Sequence, residues 1–169
     1  MFHDVEGAFK EIDANRKELV ALPNYISDVP TLTKYKDIII ANYLNMKLLS
    51  KHFSFGNARV SLVKRVTPAQ NQVNLKFQWF DSINKASKQS YSPQLEMLST
   101  LYNLGVCHAN IGSHVSLEGQ GIKEASNNFQ IAAWIFDHLK TLSTQLPPMD
   151  QSLDFTSENL TMLSNLMLA

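Results

Sequence analysis

A chain of 169 residues, 44% apolar and 18% charged, is long enough for one globular domain and too apolar to be a disordered segment. Its basic and acidic side chains number 15 each, so it lacks the concentrated positive face that duplex nucleic acid requires, and Lys64-Arg65 is the nearest candidate. The only cysteine, Cys107, rules out an internal disulfide and suits a reducing compartment, and no apolar run is long enough to span a bilayer.

The N-terminal stretch MFHDVEGAFKEID is acidic and amphipathic, unlike a secretory signal. From about Asp4 to Leu22, Val5, Phe9, Ile12 and Leu19 recur at helical spacing, and Pro23-Asn24 ends the run. A second helix begins near Val29-Pro30-Thr31, where proline fits the first turn. Its stripe of Leu32, Tyr35, Ile39, Tyr43, Met46, Leu49 and Phe53 alternates steps of three and four, which places one long face against a partner.

After Phe55-Gly56-Asn57 the period changes. Val60 and Leu62 alternate with polar neighbours, and Val73, Leu75, Phe77 and Trp79 alternate with Asn74, Lys76, Gln78 and Phe80. With Thr67 to Asn71 as the connecting loop, the pattern predicts a small antiparallel β element within a mainly α chain.

Ser92-Pro93 opens the third helix, with Glu96 in its first turn beside the positive end of the helix dipole. The helix is expected to reach Val115 or Leu117. Gly105 and Gly112 inside it each cost about 1 kcal/mol against alanine, which predicts close approach of another helix backbone. Gly119-Gln120-Gly121 turns the chain into a fourth helix ending near Leu142, with the stripe Ile122, Ala125, Phe129, Ala132, Phe136 and Leu139. Small and aromatic residues alternate on it as in stacked helical hairpins of the tetratricopeptide kind. Pro147-Pro148 and Asp150 to Asp154 connect to a fifth helix from Thr156 or Ser157, which carries Leu160, Leu163, Leu166 and Met167. That stripe is still in full course at Ala169, which predicts a truncated piece of a longer domain.

No catalytic, metal or cofactor site emerges from the residue pattern. His108 and His114 are six apart, on different helix faces, unlike the four-residue spacing of a zinc helix. His52 and His138 lie near predicted helix C-termini, where positive charge is mildly favourable. Cys107 falls mid-helix among apolar neighbours, which favours a packed thiol over a nucleophile. Gly119-Gln120-Gly121 lacks the further glycine and preceding strand of a dinucleotide fingerprint, and the Asn159-Leu160-Thr161 sequon sits inside a predicted helix. Ile122 differs from the core-forming stripes, because it opens a helix directly after a turn and can leave one face exposed.

Five blocks in order resemble the BRO domain, a family that includes ALIX, rhophilin and the His-domain protein tyrosine phosphatase. They are Phe77 to Asp81, Leu101 to Gly105, Glu118 to Ala125, Phe129 to Leu139, and a last block of Asp154, Leu163 and Asn165 to Ala169. The resemblance runs from roughly Glu11 to the end, and Leu101–Gly105 with Asn165–Leu168 points toward the His-domain phosphatase branch. It implies a banana-shaped domain with a small β-sheet near one end and a core of tetratricopeptide-like hairpins, here incomplete. The family's usual N-terminal strand segment and its later helices are absent from residues 1–169.

By the same resemblance the chain is a non-enzymatic cytoplasmic adaptor of endosomal sorting, recruited to endosomes through its partners. Its partner would be the C-terminal amphipathic helix of a Snf-seven-type (charged multivesicular body) ESCRT-III subunit. Ile122 falls on a family position in that apolar binding patch, and other patch positions would lie beyond Ala169. A rhophilin-like Rho-signalling scaffold and the non-catalytic part of a tyrosine phosphatase are the alternatives.

Overall fold

A computed structural model describes residues 5–20, 28–55, 72–73 and 75–169. In chain order the elements are α1 (Val5–Val20), α2 (Val29–His52), β1 (Ser54–Phe55), β2 (Gln72–Val73), β3 (Phe77–Phe80), β4 (Ser87–Ser90), α3 (Pro93–His114), α4 (Gly121–Ser143) and α5 (Ser157–Leu168). Two single-turn 3-10 helices, Pro148–Asp150 and Leu153–Phe155, link α4 to α5.

The second, third and fifth helices start where the sequence places them, each behind a capping side chain. Asp28 caps α2 by accepting from the Thr31 amide at 3.1 Å, with Pro30 in the first turn. Ser92 accepts from the Leu95 amide in front of Pro93, and Thr156 caps α5 by accepting from the Asn159 amide. Of the α2 stripe, Leu32, Ile39, Met46 and Leu49 are buried, with Tyr35, Tyr43 and Phe53 at its half-buried edges.

The β region corrects the sequence reading in part. Alternation holds at Phe77–Phe80, where Phe77 is buried, Trp79 half-buried, and Gln78 and Phe80 exposed. The antiparallel partner, however, is β4, with Phe77 opposite Ser90 and Phe80 opposite Ser87. Val73 instead pairs in parallel with Phe55. β4 reads Ser-Lys-Gln-Ser and carries no apolar period, so only the reversal at Asp81–Ala86 brings it into register. There the Asp81 amide donates to the Ala86 carbonyl at 2.9 Å. Val60, Leu62, Lys64-Arg65 and the Thr67 to Asn71 loop lie outside the described residues.

The largest buried cluster joins α3, α4 and α5 through Leu95, Leu98, Ala132, Phe136, Leu139 and Leu160. A second, of Ile12, Met46, Leu49 and Phe77, fixes α1 and α2 to β3. A third, of Leu32, Ile39, Cys107 and Ile111, seals α2 against α3. Sequential antiparallel packing of α3 on α4 and α4 on α5 is the helical-hairpin arrangement that the stripes predict.

The two glycines of α3 explain how closely it meets α4. A Cβ at Gly105 would stand 2.9 Å from the Phe136 ring, and one at Gly112 would stand 3.1 Å from the Phe129 ring and 3.2 Å from the Ala125 carbonyl oxygen. The neighbour approaching Gly105 is thus an aromatic side chain rather than backbone; at Gly112 it is both. On α5, Leu160 is fully buried, Leu163 and Met167 pack against the main cluster, and Leu166 is exposed. Leu163→Asp is expected to lower stability by about 2 kcal/mol in urea denaturation, because a carboxylate would replace an apolar side chain at the core margin. An unchanged midpoint would move Leu163 out of that margin.

Candidate protein-binding surface

Ile122 is positioned by a turn that accepts few other residues. Gly119 has φ +56, the left-handed region. A Cβ at Gly121 would fall 1.7 Å from the Ser116 carbonyl oxygen, so the backbone there passes too close for any side chain. The Gly121 amide donates to the Glu118 carbonyl at 2.9 Å, and the Lys123 and Glu124 amides donate to the Gln120 carbonyl. Ile122 therefore leaves the turn in a fixed direction and is 57% exposed, whereas Ala125, one turn on, is buried. Leu117, on the other side of the turn, is also exposed. The end of the α3–α4 hairpin thus presents apolar side chains to solvent, flanked by exposed Glu118, Lys123 and Glu124. Such a surface can dock an apolar anchor.

The other singled-out residues have structural partners. The Cys107 thiol donates to the Leu32 carbonyl at 3.3 Å, and burial pushes its pKa up to about 11, so it stays protonated and a poor nucleophile. His108 is buried with Nδ1 2.8 Å from Asn128 Oδ1, and burial lowers its pKa below the usual imidazole value. His52 closes α2 as expected. His138 stands five residues before the end of α4, near its C-terminus as expected, and stacks flat on Trp134, with ring centroids 5.2 Å apart. Asn159 of the sequon donates to the Asp154 carbonyl at 3.1 Å from within α5. Among the described residues, no helix is long and apolar enough to cross a membrane.

Two polar networks escaped the sequence reading. Glu96 lies in the first turn of α3 as read, and its carboxylate is fully buried. It pairs with Arg16 of α1 and accepts from Trp79 Nε1 at 2.6 Å and from Asn42 Nδ2 at 3.4 Å. The Arg16 guanidinium also lies 5.5 Å from the ring centres of both Phe77 and Trp79. A second network ties the β3–β4 turn to the α4–α5 link. Asp81 accepts from the Ser152 hydroxyl at 2.6 Å and from the amides of Leu153, Ile83 and Asn84 at 2.7, 2.9 and 3.0 Å. Asp154 reciprocates by accepting from the Ser82 amide at 2.8 Å and from its hydroxyl.

The last observation on the fold is its likeness to known proteins. The BRO1-like domain family matches residues 8–169. This chain belongs to that family. The ALG-2 interacting protein X of Dictyostelium discoideum is 29% identical over 160 residues, covering 94% of this chain and 19% of that protein. Human rhophilin-2 is 33% identical over 89 residues, covering 52% of this chain and 13% of its own length. The chain therefore spans about a fifth or less of these curated relatives.

Among solved structures, the ALIX BRO1 domain in complex with CHMP4C superposes with a TM-score of 0.71 at 20% identity, covering 95% of this chain and 42% of that one. ALIX bound to a viral late-domain peptide gives 0.75 at 19% identity, covering 96% of this chain and 22% of the other. The BRO1 neighbours share the helical-hairpin architecture, and their fold is the one that the five sequence blocks imply.

Proposed function

We propose that this chain is the front part of a BRO1 domain that acts as a non-enzymatic adaptor in endosomal sorting. Its partner is the C-terminal amphipathic helix of a Snf-seven-type ESCRT-III subunit, docked on a surface that includes Ile122. The observation that carries the site is the exposure of Ile122 on a turn whose backbone admits only glycine at position 121. Support for the partner comes from the ALIX BRO1 domain, whose solved complex holds CHMP4C. The ALIX-type relative matches 94% of the chain and rhophilin-2 only 52%, which favours the sorting adaptor over a Rho-signalling scaffold. Such an adaptor is cytoplasmic and reaches endosomes through its partners.

A helix-in-patch contact draws most of its energy from a few apolar anchors. Fluorescence anisotropy of a labelled ESCRT-III C-terminal helix tests the reading, using this chain and the same chain continued to the length of a full BRO1 domain. Saturable binding near micromolar Kd is expected for the longer form, weakened about tenfold or more by Ile122→Asp, with helix content by circular dichroism unchanged. Binding that is indifferent to Ile122→Asp would remove Ile122 from the site. Failure of the well-folded longer form to bind would favour the scaffold with another partner.

A further inference from the structure

A groove lies at the opposite end of the α3–α4 hairpin from Ile122. Its volume is about 310 Å³, near the lower limit at which ligand-binding pockets begin. Leu98, Leu101, Leu142 and Leu146 supply an apolar lining, and all four also belong to or pack against the main core, so the wall is rigid. Two cations stand on one side of the rim, Lys47 and Lys51 of α2, with His138 of α4 on the other, and no carboxylate lines the groove among the described residues. Lys47 extends past Tyr43, with Nζ 5.8 Å from the ring centre. Both lysines are exposed, and neither forms an ion pair among the described residues.

The adjoining surface continues the pattern. Leu44 and Leu48 are 55% and 51% exposed on α2, each one turn from the other and interleaved with Lys47 and Lys51. On a chain whose formal net charge is zero, this is a local positive rim around an apolar floor. Two lysines one turn apart suit two carboxylates on one short segment, and the floor suits one or two apolar side chains beside them. A duplex or a flat anionic bilayer would meet the cations but leave the concave floor empty.

We infer that this α2–α3–α4 groove is a second docking site, which takes an acidic segment of a partner protein that inserts an apolar side chain between the lysines and His138. The site stands apart from the Ile122 surface and does not depend on the reading given to it. Two sites at opposite ends of one hairpin would let one domain hold two partner segments at once.

The test is a titration of the 169-residue chain with fluorescein-labelled decapeptides: glutamates around a central Leu-Phe pair, the same peptide with lysine for glutamate, and one with Ser-Ser for Leu-Phe. Saturable sub-millimolar binding of the first is expected, about tenfold weaker for each of the other two. Lys47→Glu/Lys51→Glu should weaken it by at least about tenfold while melting stays as in the parent, as does ESCRT-III helix binding by the longer form carrying the same pair. Should that pair lower the melting temperature, Lys47→Gln/Lys51→Gln takes its place, with a smaller loss expected. The proposal is overturned if the acidic peptide does not saturate, if the lysine peptide binds as well, or if charge reversal leaves the affinity unchanged. Self-association of the chain that Lys47→Glu/Lys51→Glu abolishes would also overturn it, by naming a second copy as the occupant.

Discussion

Replacing Glu96 with alanine is expected to destabilise the domain by about 3–5 kcal/mol, read as a lowered urea midpoint. The side chain is fully buried, and its two oxygens receive Arg16, Asn42 and the Trp79 indole. Truncation leaves the half-buried Arg16 charge without its counter-ion and the half-buried indole N–H without its acceptor, and opens a cavity where the buried carboxylate stood. Glu96→Gln keeps the shape but turns one acceptor into a donor aimed at other donors, so a cost of about 2 kcal/mol is expected. Arg16→Met combined with Glu96→Leu removes both charges, and the pair should cost well below the sum of the single changes. Additive single effects would mean that the two side chains do not interact. Trp79 fluorescence reports the same event locally, since the indole loses a bond of 2.6 Å.

The second large effect concerns acid. Burial alone would raise the Asp81 pKa, but the Ser152 hydroxyl and the amides of Asn84, Ile83 and Leu153 outweigh it and hold the carboxyl at about 2, below the ordinary value of 3.8. At one pKa unit per 1.36 kcal/mol, the ionised carboxylate contributes about 2 kcal/mol. Between pH 4 and 2 the unfolded chain takes up a proton here that the folded chain does not, so stability falls as the pH drops through this window. The contribution is fully present above about pH 4 and gone below about pH 2.

Asp81→Asn should flatten that part of the stability–pH curve and cost about 2 kcal/mol near neutrality. Asp81→Ala should cost at least as much, because it strands three amides and a hydroxyl. An unaltered acid profile in Asp81→Asn would show that other carboxylates govern acid unfolding. Since the Asp81 and Asp154 bonds join segments some 70 residues apart, the variants should also loosen α5 against the sheet, seen as faster amide exchange in Ser82–Asn84 and Leu153–Phe155.

The fate of individual residues shows where the sequence was legible. Leu32, Ile39, Met46 and Leu49 are buried because a step of three or four residues returns a side chain to the same helix face, whatever lies opposite. Ser92-Pro93 and Thr156 start helices because their hydroxyls reach amides only three residues away. By the same reasoning Gly105 and Gly112 signalled a close neighbour, although only the folded pair reveals that Phe136 fills the first gap and Phe129 the second. The exposed pair Leu44 and Leu48 left a trace in the sequence, as apolar residues off the α2 stripe, but nothing local shows which helices wall the groove beside them.

β4 gave no trace, because a polar strand is held by backbone pairing and a turn. Glu96 gave only its first-turn position, because its partners Arg16 and Asn42 are 80 and 54 residues away.

The five helices, the β3 strand and most of the core stripes were legible in the sequence because periods and caps operate within a few residues, and the BRO1-like family was legible through the resemblance of five ordered residue blocks. Only the tertiary structure decided the β4 pairing, the Glu96–Arg16 network and the Asp81–Asp154 clasp. Each of these depends on which groups meet across long stretches of chain, and a charge or hydroxyl carries no periodic signature of the partner it will find.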